Sequence, residues 1–496
     1  MNDRPFPPGD YPVVVVGSGP GGLQFSHSLR MLGVDHAVIS ADSGPGGMFR
    51  KFPTFQRLIS WTKPHAPAAK GSREYQRYDW NSLITETPQS ENLAVDIMKG
   101  PTYFPSREEM EKTLVAFVDR TRTLVRYDCP WTATRRTDDG FALETPDGEY
   151  TCRVAVFAIG MTSPWRPDTP GMDLMPHYAE IKDPNEYIGK SVFIAGKRNS
   201  AFEIADGLLP LAKQVILASP RPTRISFLEY STAYARARYM QPVEDHALGG
   251  GNLILDAVPE LIERTSSGGY RVRLHGTTVP GPMVFEVDEA ICATGWRTPL
   301  GDLPALGVAT FFGGDRLPAQ TPYWESSTVP CIYFAGSVTQ GAVGLKKHGI
   351  PSNSGAVHGF RFNARVLAAH IAETRFATPT VRKQLSPSDL VSFLLREVTV
   401  GPELWNQPSY LARAVSVSAE EGALDQGIMP LSHFVDTEGP DAVAIALEID
   451  ASGDKHPAVY LRKSGKVEEY LLPSNIRSDF ETDSYIDKLD SILKQL

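Results

Sequence analysis

The chain lacks the sequence signals of several protein classes. Cysteine, to begin with, is scarce. Its 496 residues include only four cysteines, Cys129, Cys152, Cys292 and Cys331, which stand far apart with no C-x-x-C pair. Closely spaced pairs are the usual sign of a redox dithiol or a metal site. We therefore expect no internal dithiol and no bound metal, and we expect four mostly buried free thiols.

Excess positive charge and long apolar runs are missing as well. The 49 Lys and Arg residues are outnumbered by 58 Asp and Glu residues, and the formal net charge is -9. This balance argues against a general nucleic-acid binder, because counterion release needs a basic surface. No apolar run approaches the length of a membrane span, and the segment from Met1 to Pro8 lacks the layout of a secretory signal. We expect neither a nucleic-acid nor a membrane partner, and a cytoplasmic location.

Glycine-rich turns after apolar strands are what the chain does contain. The apolar run from Val13 to Val16 leads into the pattern G-x-G-x-x-G and then into a helix. This order is typical of a dinucleotide-binding turn, in which glycines allow a tight turn, a close approach of the pyrophosphate and close packing of the helix. The residues predicted to form this turn are Gly17, Gly19, Pro20, Gly21 and Gly22.

The acidic residue that usually follows the second strand of such a unit is missing from its expected position. Ser40 stands at the end of the second strand, where an Asp or Glu normally holds a ribose hydroxyl. Asp42 lies two residues later and is the alternative ribose ligand. Both residues are therefore predicted as candidates for this role.

A second strand-turn-helix pattern runs from Val192 to Glu203 and is less complete. Gly196 is present, but Arg198 stands where the next glycine is common. Donors at the start of the helix suit a pyrophosphate. Arg198, together with Arg221 or Arg224 beyond the next strand, suits a 2'-phosphate, which favours NADPH over NADH. The alternative is a solvated arginine face. The residues predicted to bind this nucleotide are Gly196, Lys197, Arg198, Asn199, Ser200, Arg221 and Arg224.

The order of strands and helices predicts an α/β fold with two Rossmann-like dinucleotide-binding domains, the first interrupted by the second. Apolar strands that stop at Gly160, Gly295 and Gly336 close these domains. After Ala377 the composition shifts, and a hairpin pattern indicates an α+β appendix whose role the sequence does not disclose. The predicted parts are residues 1–180 (first domain, first part), 181–287 (second domain), 288–377 (first domain, second part) and 378–496 (appendix).

Three segments, Gly17 to Gly22, Gly196 to Glu203 and Asp288 to Trp296, together resemble the two-dinucleotide-domain flavoproteins, which include the class B flavin monooxygenases and the amine N-hydroxylases. Cys292 and Trp296 depart from the N-hydroxylase pattern. Further motifs are similar to FAD-dependent oxidoreductase-domain proteins, whose animal member works in the endoplasmic reticulum. These motifs are Gly47-Met48-Phe49, Leu58-Ile59-Ser60, Tyr78 to Leu83 and His358-Gly359-Phe360-Arg361. The resemblance covers about Tyr11 to Ile371 and leaves out the tail.

The resemblance implies FAD at the first site and NADPH at the second. It also implies that reduced flavin and dioxygen form a C4a-hydroperoxyflavin, which oxygenates a small-molecule substrate in a pocket that excludes water. The further residues that it implies around the cofactors are Gly47, Met48, Phe49, Trp61, Asp79, Gly160, Thr294, Gly295, Gly336, Ser337, His358 and Phe360.

The catalytic candidates lie in two predicted loops, one that runs up to Asn81 and one that runs up to His358. Asn81 is predicted to hydrogen-bond the flavin or its oxygen adduct, although an Asn in a loop commonly turns the backbone. Histidines are candidates for proton transfer. Lys346 and Lys347 are candidates for binding a substrate carboxylate, with solvent exposure as the alternative. The predicted catalytic residues are Lys63, His65, Trp80, Asn81 and His348.

The leading hypothesis is an FAD-dependent, NADPH-driven monooxygenase that hydroxylates the nitrogen of a small amine or amino acid. A Baeyer-Villiger enzyme is disfavoured, because Pro164 occupies the place of that family's signature histidine. One alternative is an NADPH:acceptor reductase that acts on a quinone or a small disulfide. Another is a flavin-bound interaction protein whose tail binds a partner. The sequence leaves a homo-oligomer open.

Overall fold

The computed structural model describes residues 4–85, 91–100, 102–311, 315–418 and 422–496. The chain divides into two compact units. The first unit comprises Met1–Phe52, Ser60–Met161 and Thr298–Leu496, and the second comprises Pro53–Ile59 and Thr162–Arg297. The second unit extends beyond the predicted bounds 181–287, to Thr162 on one side and to Arg297 on the other, and it includes the short segment Pro53–Ile59. The tail, predicted as a separate appendix, belongs to the same unit as the first glycine-rich turn.

The strands of the described residues form three large sheets and two small ones. In chain order they are β1 (Gly9–Val16), β2 (His36–Ile39), β3 (Ala133–Thr137), β4 (Gly140–Thr145), β5 (Gly148–Phe157), β6 (Ser163–Pro164), β7 (Ser191–Ala195), β8 (Gln214–Ser219), β9 (Leu253–Arg264), β10 (Tyr270–Gly276), β11 (Gly281–Val287), β12 (Glu289–Cys292), β13 (Trp296–Arg297), β14 (Thr310–Phe311), β15 (Leu317–Pro318), β16 (Ile332–Phe334), β17 (Gln384–Leu385), β18 (Leu411–Ser418), β19 (Gly422–Pro430), β20 (Ala442–Ile449), β21 (Lys455–Lys463) and β22 (Lys466–Leu471).

The helices cover the sheets. They are α1 (Pro20–Met31), α2 (Leu93–Ile97), α3 (Arg107–Thr121), α4 (Asn199–Leu208), α5 (Ala237–Leu248), α6 (Leu303–Leu306), α7 (Val357–Phe376), α8 (Leu390–Val400), α9 (Pro402–Asn406), α10 (Leu431–Asp436) and α11 (Asp483–Leu493). Short 3-10 helices that matter for the site are Gly47–Arg50, Arg73–Tyr78 and Gly336–Gly341. Among the described helices, none is long and apolar enough to cross a membrane.

A parallel sheet with the order β2-β1-β5 forms the centre of the first unit. β1 places Val13 opposite His36 and Val154, and β16 pairs in parallel with the end of β5. Val13, Val14 and Val15 are fully buried, because a central parallel strand is covered on both faces. The carboxyl ends of β1, β5 and β16 therefore lie at one edge of the sheet. The predicted apolar strand from Val13 to Val16 is confirmed, and β3, β4 and β5 pair in antiparallel order.

The second unit is built around a sheet with the order β11-β10-β9-β8-β7-β12. β7, β8, β9 and β12 run parallel, and α4 connects β7 to β8. Phe193 and Ile216 are buried in the core of this sheet, which continues through Tyr270 and Val272 into its antiparallel part. The second predicted β-α-β unit is thereby confirmed.

The tail folds into an antiparallel sheet with the order β17-β19-β18-β20-β21-β22. The predicted hairpin is confirmed, since β20 pairs with β21 along its whole length. Along β20, Val443 and Ile445 join the core under α8 and α11, while Ala444 joins a second core with Phe434 of α10. This alternation with a period of two buries both faces of the strand. The tail is an α+β region, as predicted, and we call it the C-terminal region.

Candidate functional site

Backbone contacts hold the glycine-rich turn after β1 closed. Gly17 has a φ of +114°, and a Cβ there would lie 2.6 Å from the carbonyl oxygen of Ala158. A Cβ on Gly22 would lie 3.2 Å from the Cβ of Ala158 and would overlap the carbonyl of Gly17. Because α1 begins at Pro20, the amide end of this helix faces the turn. The predicted tight turn and close helix packing are confirmed.

Two further glycine segments meet this turn. A Cβ on Gly47 would lie 3.0 Å from the Cα of Gly19. On the other side, a Cβ on Gly21 would lie 2.6 Å from the backbone nitrogen of Gly336. The three segments meet as bare backbone in close contact beside the N-terminus of α1, and we call this place the glycine slot. Bare backbone and the amide end of a helix fit the pyrophosphate of a dinucleotide.

The structure separates the two candidate ribose ligands. The Oγ of Ser40 lies 2.8 Å from the Oγ of Ser18 and accepts the N–H of Asp42 at 3.1 Å, so its hydroxyl ties β2 to the turn after β1. The Asp42 carboxylate lies beside Gly47, 4.0 Å from the position of a Cβ there. Burial raises the pKa of Asp42 above its ordinary value. Asp42 is therefore the acid that borders the glycine slot, whereas the Ser40 hydroxyl is engaged between β2 and the turn. The ribose-binding role of either residue stays a prediction.

Loops that flank the glycine slot carry the other residues predicted near the flavin. The N–H of Met161 donates to Ser337 Oγ at 3.3 Å, which joins the loop after Gly160 to the loop after β16. Gly160 takes a φ of +64°, which glycine adopts without strain. The remaining members are Met48 and Phe49, both half-buried, and Phe360, which is buried on α7.

Three aromatic side chains of the first unit form a stack. The Trp80 ring lies over the His358 ring, with centroids 3.9 Å apart and 14° between the planes, and its centroid is 4.7 Å from that of Trp61. Both tryptophans are half-buried, whereas His358, in the first turn of α7, is 1% exposed. We call this group the aromatic stack. It is an apolar cluster of the kind that can exclude water.

Asp79 and Asn81 organise the loop that carries Trp80. The buried Asp79 carboxylate accepts the hydroxyl of Thr62 at 2.7 Å and the backbone N–H of Asn81 at 3.2 Å. Asn81 accepts the Ser60 hydroxyl at 2.5 Å and donates to Thr62 Oγ1 at 3.0 Å. One donor and one acceptor position of its amide are therefore used within the loop, as expected of the alternative, a residue that turns and fastens the backbone. The catalytic contact of Asn81 stays a prediction.

The structure does not bring the other predicted catalytic side chains into the buried cluster around Trp80. Lys63 and His65 are exposed, although they precede the stack in sequence. His348 and Lys346 are also exposed, and both take positive φ values, +55° and +46°. The catalytic roles of Lys63, His65 and His348 and the carboxylate-binding role of Lys346 stay predictions.

Lys347 is held by the C-terminal region. Its Nζ lies 2.7 Å from the hydroxyl of Tyr460 and 3.3 Å from the Glu448 carboxylate, and it forms an ion pair with Glu469. Glu448 is 1% exposed, so the lysine compensates a charge that is removed from water. The predicted role of Lys347 as a clamp for a substrate carboxylate is therefore corrected to a structural ion pair.

In the second unit, the turn after β7 repeats the geometry of the first turn. Gly196 has a φ of +144°, and a Cβ there would lie 2.6 Å from the carbonyl oxygen of Ala293. α4 begins at Asn199, with Arg198 as its N-cap and Ser200 half-buried in its first turn. The turn thus offers a helix N-terminus to an anion, despite the missing second glycine.

Two predicted ligands in this turn are engaged within the protein. The buried Lys197 forms an ion pair with Asp256. The Asn199 side chain donates to the carbonyl of Tyr234 at 2.9 Å and accepts the N–H of Arg236 at 2.9 Å. These contacts fasten the turn to the neighbouring loop and to β9. Nucleotide binding by Lys197 and Asn199 stays a prediction.

Arginines converge on Tyr234 beside the second turn. The guanidinium carbons of Arg198 and Arg224 lie 5.6 and 4.2 Å from the centroid of this ring. Arg224 also forms an ion pair with Glu229. Arg221, which lies with Arg224 in the segment that follows β8, is exposed. Two of the three arginines predicted for a 2'-phosphate thus meet at one aromatic ring.

Thr294 and Gly295 join the loop after β12 to an earlier segment of the second unit. Thr294 donates its hydroxyl to the carbonyl of Trp165 at 2.5 Å, and the Trp165 N–H donates to the carbonyl of Gly295 at 3.0 Å. The Nε2 of His177 lies 2.9 Å from the same Gly295 oxygen. Burial lowers the pKa of His177, which favours the neutral ring.

The buried carboxyl of Glu203 fastens Pro53–Ile59 to α4. Sequence reasoning did not identify it as a titrating group. Glu203 accepts the backbone N–H of Phe55 at 3.1 Å and the hydroxyl of Tyr178 at 2.6 Å. Burial raises the pKa of Glu203 to about 7, although both hydrogen bonds act to lower it. These partners are remote in the chain, so no local pattern pointed to them.

Arg361 is a second residue that sequence reasoning left without a role. It is 1% exposed and donates to the carbonyls of Ser82 and Gln76 at 2.5 and 2.6 Å. These bonds tie the loop of Trp80 to α7, which carries the other half of the aromatic stack. The signal that could have revealed this contact is an arginine within the apolar pattern of a buried helix, because a buried charge needs hydrogen-bond partners.

All four cysteines are free, as predicted. Burial raises the pKa of each thiol, to about 12 for Cys152. Three are buried and Cys331 is half-buried. Because the thiolate is the reactive form, these thiols are unsuited to passing electrons to a disulfide.

The model of the pyridine nucleotide-disulphide oxidoreductase family matches residues 14–336. The chain belongs to this family. FAD-dependent oxidoreductase domain-containing protein 2 of Mus musculus is 26% identical over 444 residues, which cover 83% of this chain and 65% of that protein. A ferredoxin–NADP reductase of Thermus thermophilus is 24% identical over 318 residues, which cover 62% of this chain and 86% of that protein. The chain thus matches less than two thirds of the length of the mouse relative.

Solved structures share the fold at low sequence identity. A bacillithiol disulfide reductase from Staphylococcus aureus is 15% identical with a TM-score of 0.56, covering 74% of this chain and 99% of that chain. A flavin-containing monooxygenase from Stenotrophomonas maltophilia is 17% identical with a TM-score of 0.55 and the same coverage. The ornithine N-hydroxylase of Kutzneria sp. 744 is 17% identical with a TM-score of 0.54, covering 74% and 100%. The predicted two-dinucleotide-domain fold is confirmed, and FAD and NADPH are confirmed as cofactors at the level of the family.

Proposed function

We propose that the chain is an FAD-dependent, NADPH-driven monooxygenase that oxygenates a heteroatom of a small molecule, with the nitrogen of a small amine as its target. The family match establishes the coarser class, an oxidoreductase that uses FAD and a pyridine nucleotide. The observation that carries the finer proposal is the aromatic stack of Trp61, Trp80 and His358. An apolar wall of this kind suits chemistry that depends on excluding water.

In the proposed arrangement, the glycine slot of the first unit holds FAD. The backbone from Gly19 to Gly22 and the start of α1 bind the pyrophosphate, and Asp42 accepts a ribose hydroxyl. When bound, FAD supplies the electron transfer and the reaction with dioxygen. The side chains of Met48 and Phe49 and the aromatic stack exclude water around the ring.

The second unit binds NADPH in this proposal. The turn at Gly196 and the N–H groups at the start of α4, with Ser200, hold the pyrophosphate. Arg198 and Arg224, gathered at Tyr234, bind the 2'-phosphate, because a guanidinium offers a fixed fork of donors to phosphate oxygens. The two charges explain a preference for NADPH over NADH.

The pairing of the charged side chain Lys347 favours one substrate class over another. Because Lys347 is paired with Glu448 and Glu469, it provides no clamp for a carboxylate. A small amine is therefore a better fit than an amino acid. The resemblance to the N-hydroxylases supports nitrogen as the oxidised atom, and the role of the aromatic stack is to orient the amine and keep water away.

Oxygen stoichiometry tests the proposal. The purified full chain is supplied with NADPH, dioxygen and a panel of small primary amines, and oxygen uptake, hydrogen peroxide and hydroxylamine are measured together. We expect at least one amine to lower peroxide release and to yield hydroxylamine in step with oxygen uptake. In Trp80→Leu, NADPH oxidation should continue with more peroxide, whereas Trp80→Phe should resemble the wild type. Peroxide that accounts for all oxygen uptake with every amine would contradict monooxygenation.

An NADPH:acceptor reductase is the second candidate. The separate, high-pKa thiols require any acceptor to meet the flavin directly. Similarity to proteins named as a ferredoxin–NADP reductase and a bacillithiol disulfide reductase favours this alternative. Rapid anaerobic turnover of NADPH with a quinone or a small disulfide, together with fully uncoupled oxygen uptake, would support the reductase.

A further inference from the structure

Gln407 begins a buried chain of hydrogen bonds in the C-terminal region. Its Nε2 donates to Asn363 Oδ1 at 2.8 Å and to Ser354 Oγ at 3.0 Å, and its Oε1 accepts the backbone N–H of Asn353 at 2.8 Å. The Gln407 side chain is fully buried. Both donors and the acceptor of the amide are therefore used, and the amide has one favoured orientation.

The chain of hydrogen bonds continues to the glycine slot. Asn363 Nδ2 donates to Thr339 Oγ1 at 3.0 Å, and the Thr339 hydroxyl donates to the carbonyl of Gly336 at 2.6 Å. Asn363 and Thr339 are also fully buried. Gly336, with a φ of +75°, is the residue whose backbone lies against Gly21 in the slot. A continuous set of directional bonds thus links the C-terminal region to the slot wall.

We propose that Gln407 is a positioning residue for FAD, acting through Asn363 and Thr339 on the backbone of Gly336. The inference rests on the proposed placement of FAD in the glycine slot. Buried amide and hydroxyl groups must be paired, and a network in which each member is satisfied admits one arrangement of the turn after β16. The C-terminal region, which lies beyond the family match at residues 14–336, then contributes to cofactor binding.

FAD affinity of the full chain provides the test. Gln407→Met preserves the length of the side chain but removes both donors and the acceptor. We expect the dissociation constant for FAD, measured by flavin fluorescence as apoprotein is titrated, to rise about tenfold, because buried partners lose their hydrogen bonds. Gln426→Met is the matched control, since Gln426 bonds only Ser416, at 2.7 Å, among the hydrogen bonds described for its side chain. The control should bind FAD like the wild type.

A double-mutant cycle shows whether the effect travels along the network. Thr339→Val removes the hydroxyl that bonds Gly336, and its effect on FAD affinity should be less than additive with that of Gln407→Met. Additive effects, or an unchanged dissociation constant in Gln407→Met, would overturn the inference while leaving the proposed function intact. A wild-type chain that binds no FAD would instead overturn the proposed function.

Gln407→Glu is the second variant, for the case in which Gln407→Met does not fold. Burial raises the pKa of a carboxyl at this position. Its protonated form can still donate to Asn363 Oδ1. Its ionised form instead places a carboxylate oxygen against Asn363 Oδ1, with no hydrogen between the two oxygens. FAD affinity relative to the wild type at the same pH should therefore fall as pH rises. A pH-independent ratio of one would contradict the role of Gln407.

Discussion

Replacing Glu203 with Gln should change how the stability of the second unit depends on pH. Glu203 is 3% exposed, and burial raises the pKa of its carboxyl from the ordinary value of 4.5 to about 7. Between these two values the folded chain holds a proton that the unfolded chain releases. The stability that this group contributes is therefore fully present below pH 4.5 and is lost as pH rises through 7.

The difference between the two pKa values sets the size of the effect. It corresponds to about 3 kcal/mol of unfolding free energy once pH is well above 7. A glutamine at this position stays neutral, keeps an acceptor for the Phe55 N–H, and offers an N–H to the Tyr178 hydroxyl. We expect Glu203→Gln to match the wild type near pH 4.5 and to be more stable than the wild type at pH 8.5.

Calorimetry of the full chain at several pH values measures this difference. The melting temperature of the transition that includes the second unit should be compared for the wild type, Glu203→Gln and Glu260→Gln. Glu260 is an exposed carboxylate on β9 of the same unit and serves as the control. A constant difference between Glu203→Gln and the wild type from pH 5 to pH 8.5 would refute the raised pKa of Glu203.

Two further substitutions test the nucleotide sites. Gly21→Ala should lower the flavin content of the purified chain at least about tenfold, because the added Cβ collides with the backbone of Gly336, which cannot move aside like a side chain. Gly100→Ala, where a Cβ meets nothing within 4 Å, is its control, and equal flavin content in the two variants would argue against the glycine slot. Arg224→Ala should raise the KM for NADPH about tenfold and leave that for NADH unchanged. Arg271→Ala removes an exposed arginine from the same unit, and an equal rise there would point to a general charge effect instead.

Much of the nucleotide-binding geometry was predictable because the signal is local. A continuous valine run followed by spaced glycines specifies a buried strand and a turn that side chains cannot occupy, and Gly17 and Gly22 meet neighbouring backbone as expected. The capping box of Ser106 and Glu109 at the start of α3 is equally local, since both of its bonds lie within one helical turn. The contact of Gly17 with Ala158, in contrast, joins segments that are far apart in the chain.

The catalytic side chains were harder to predict because residue type does not reveal partners. Asn81 and Lys347 have the chemistry of ligands, but Asn81 also bonds Ser60 and Thr62, and Lys347 pairs with Glu448. Such pairing depends on which loops meet, and loops meet through contacts between distant segments. Exposure likewise depends on the fold as a whole, which is why the accessible His65 was predicted among the catalytic residues.

The two glycine-rich units, their order along the chain and the wide spacing of the four cysteines can be read from the amino-acid sequence, because short-range strand, turn and helix patterns encode them. Which side chains pair with one another is set by the folded chain. Trp80 stacks on His358, Ser40 bonds Ser18, and Gln407 is connected to the turn at Gly336. These contacts join distant segments because buried polar atoms need hydrogen-bond partners and aromatic rings need packing partners, and neither requirement depends on separation along the chain.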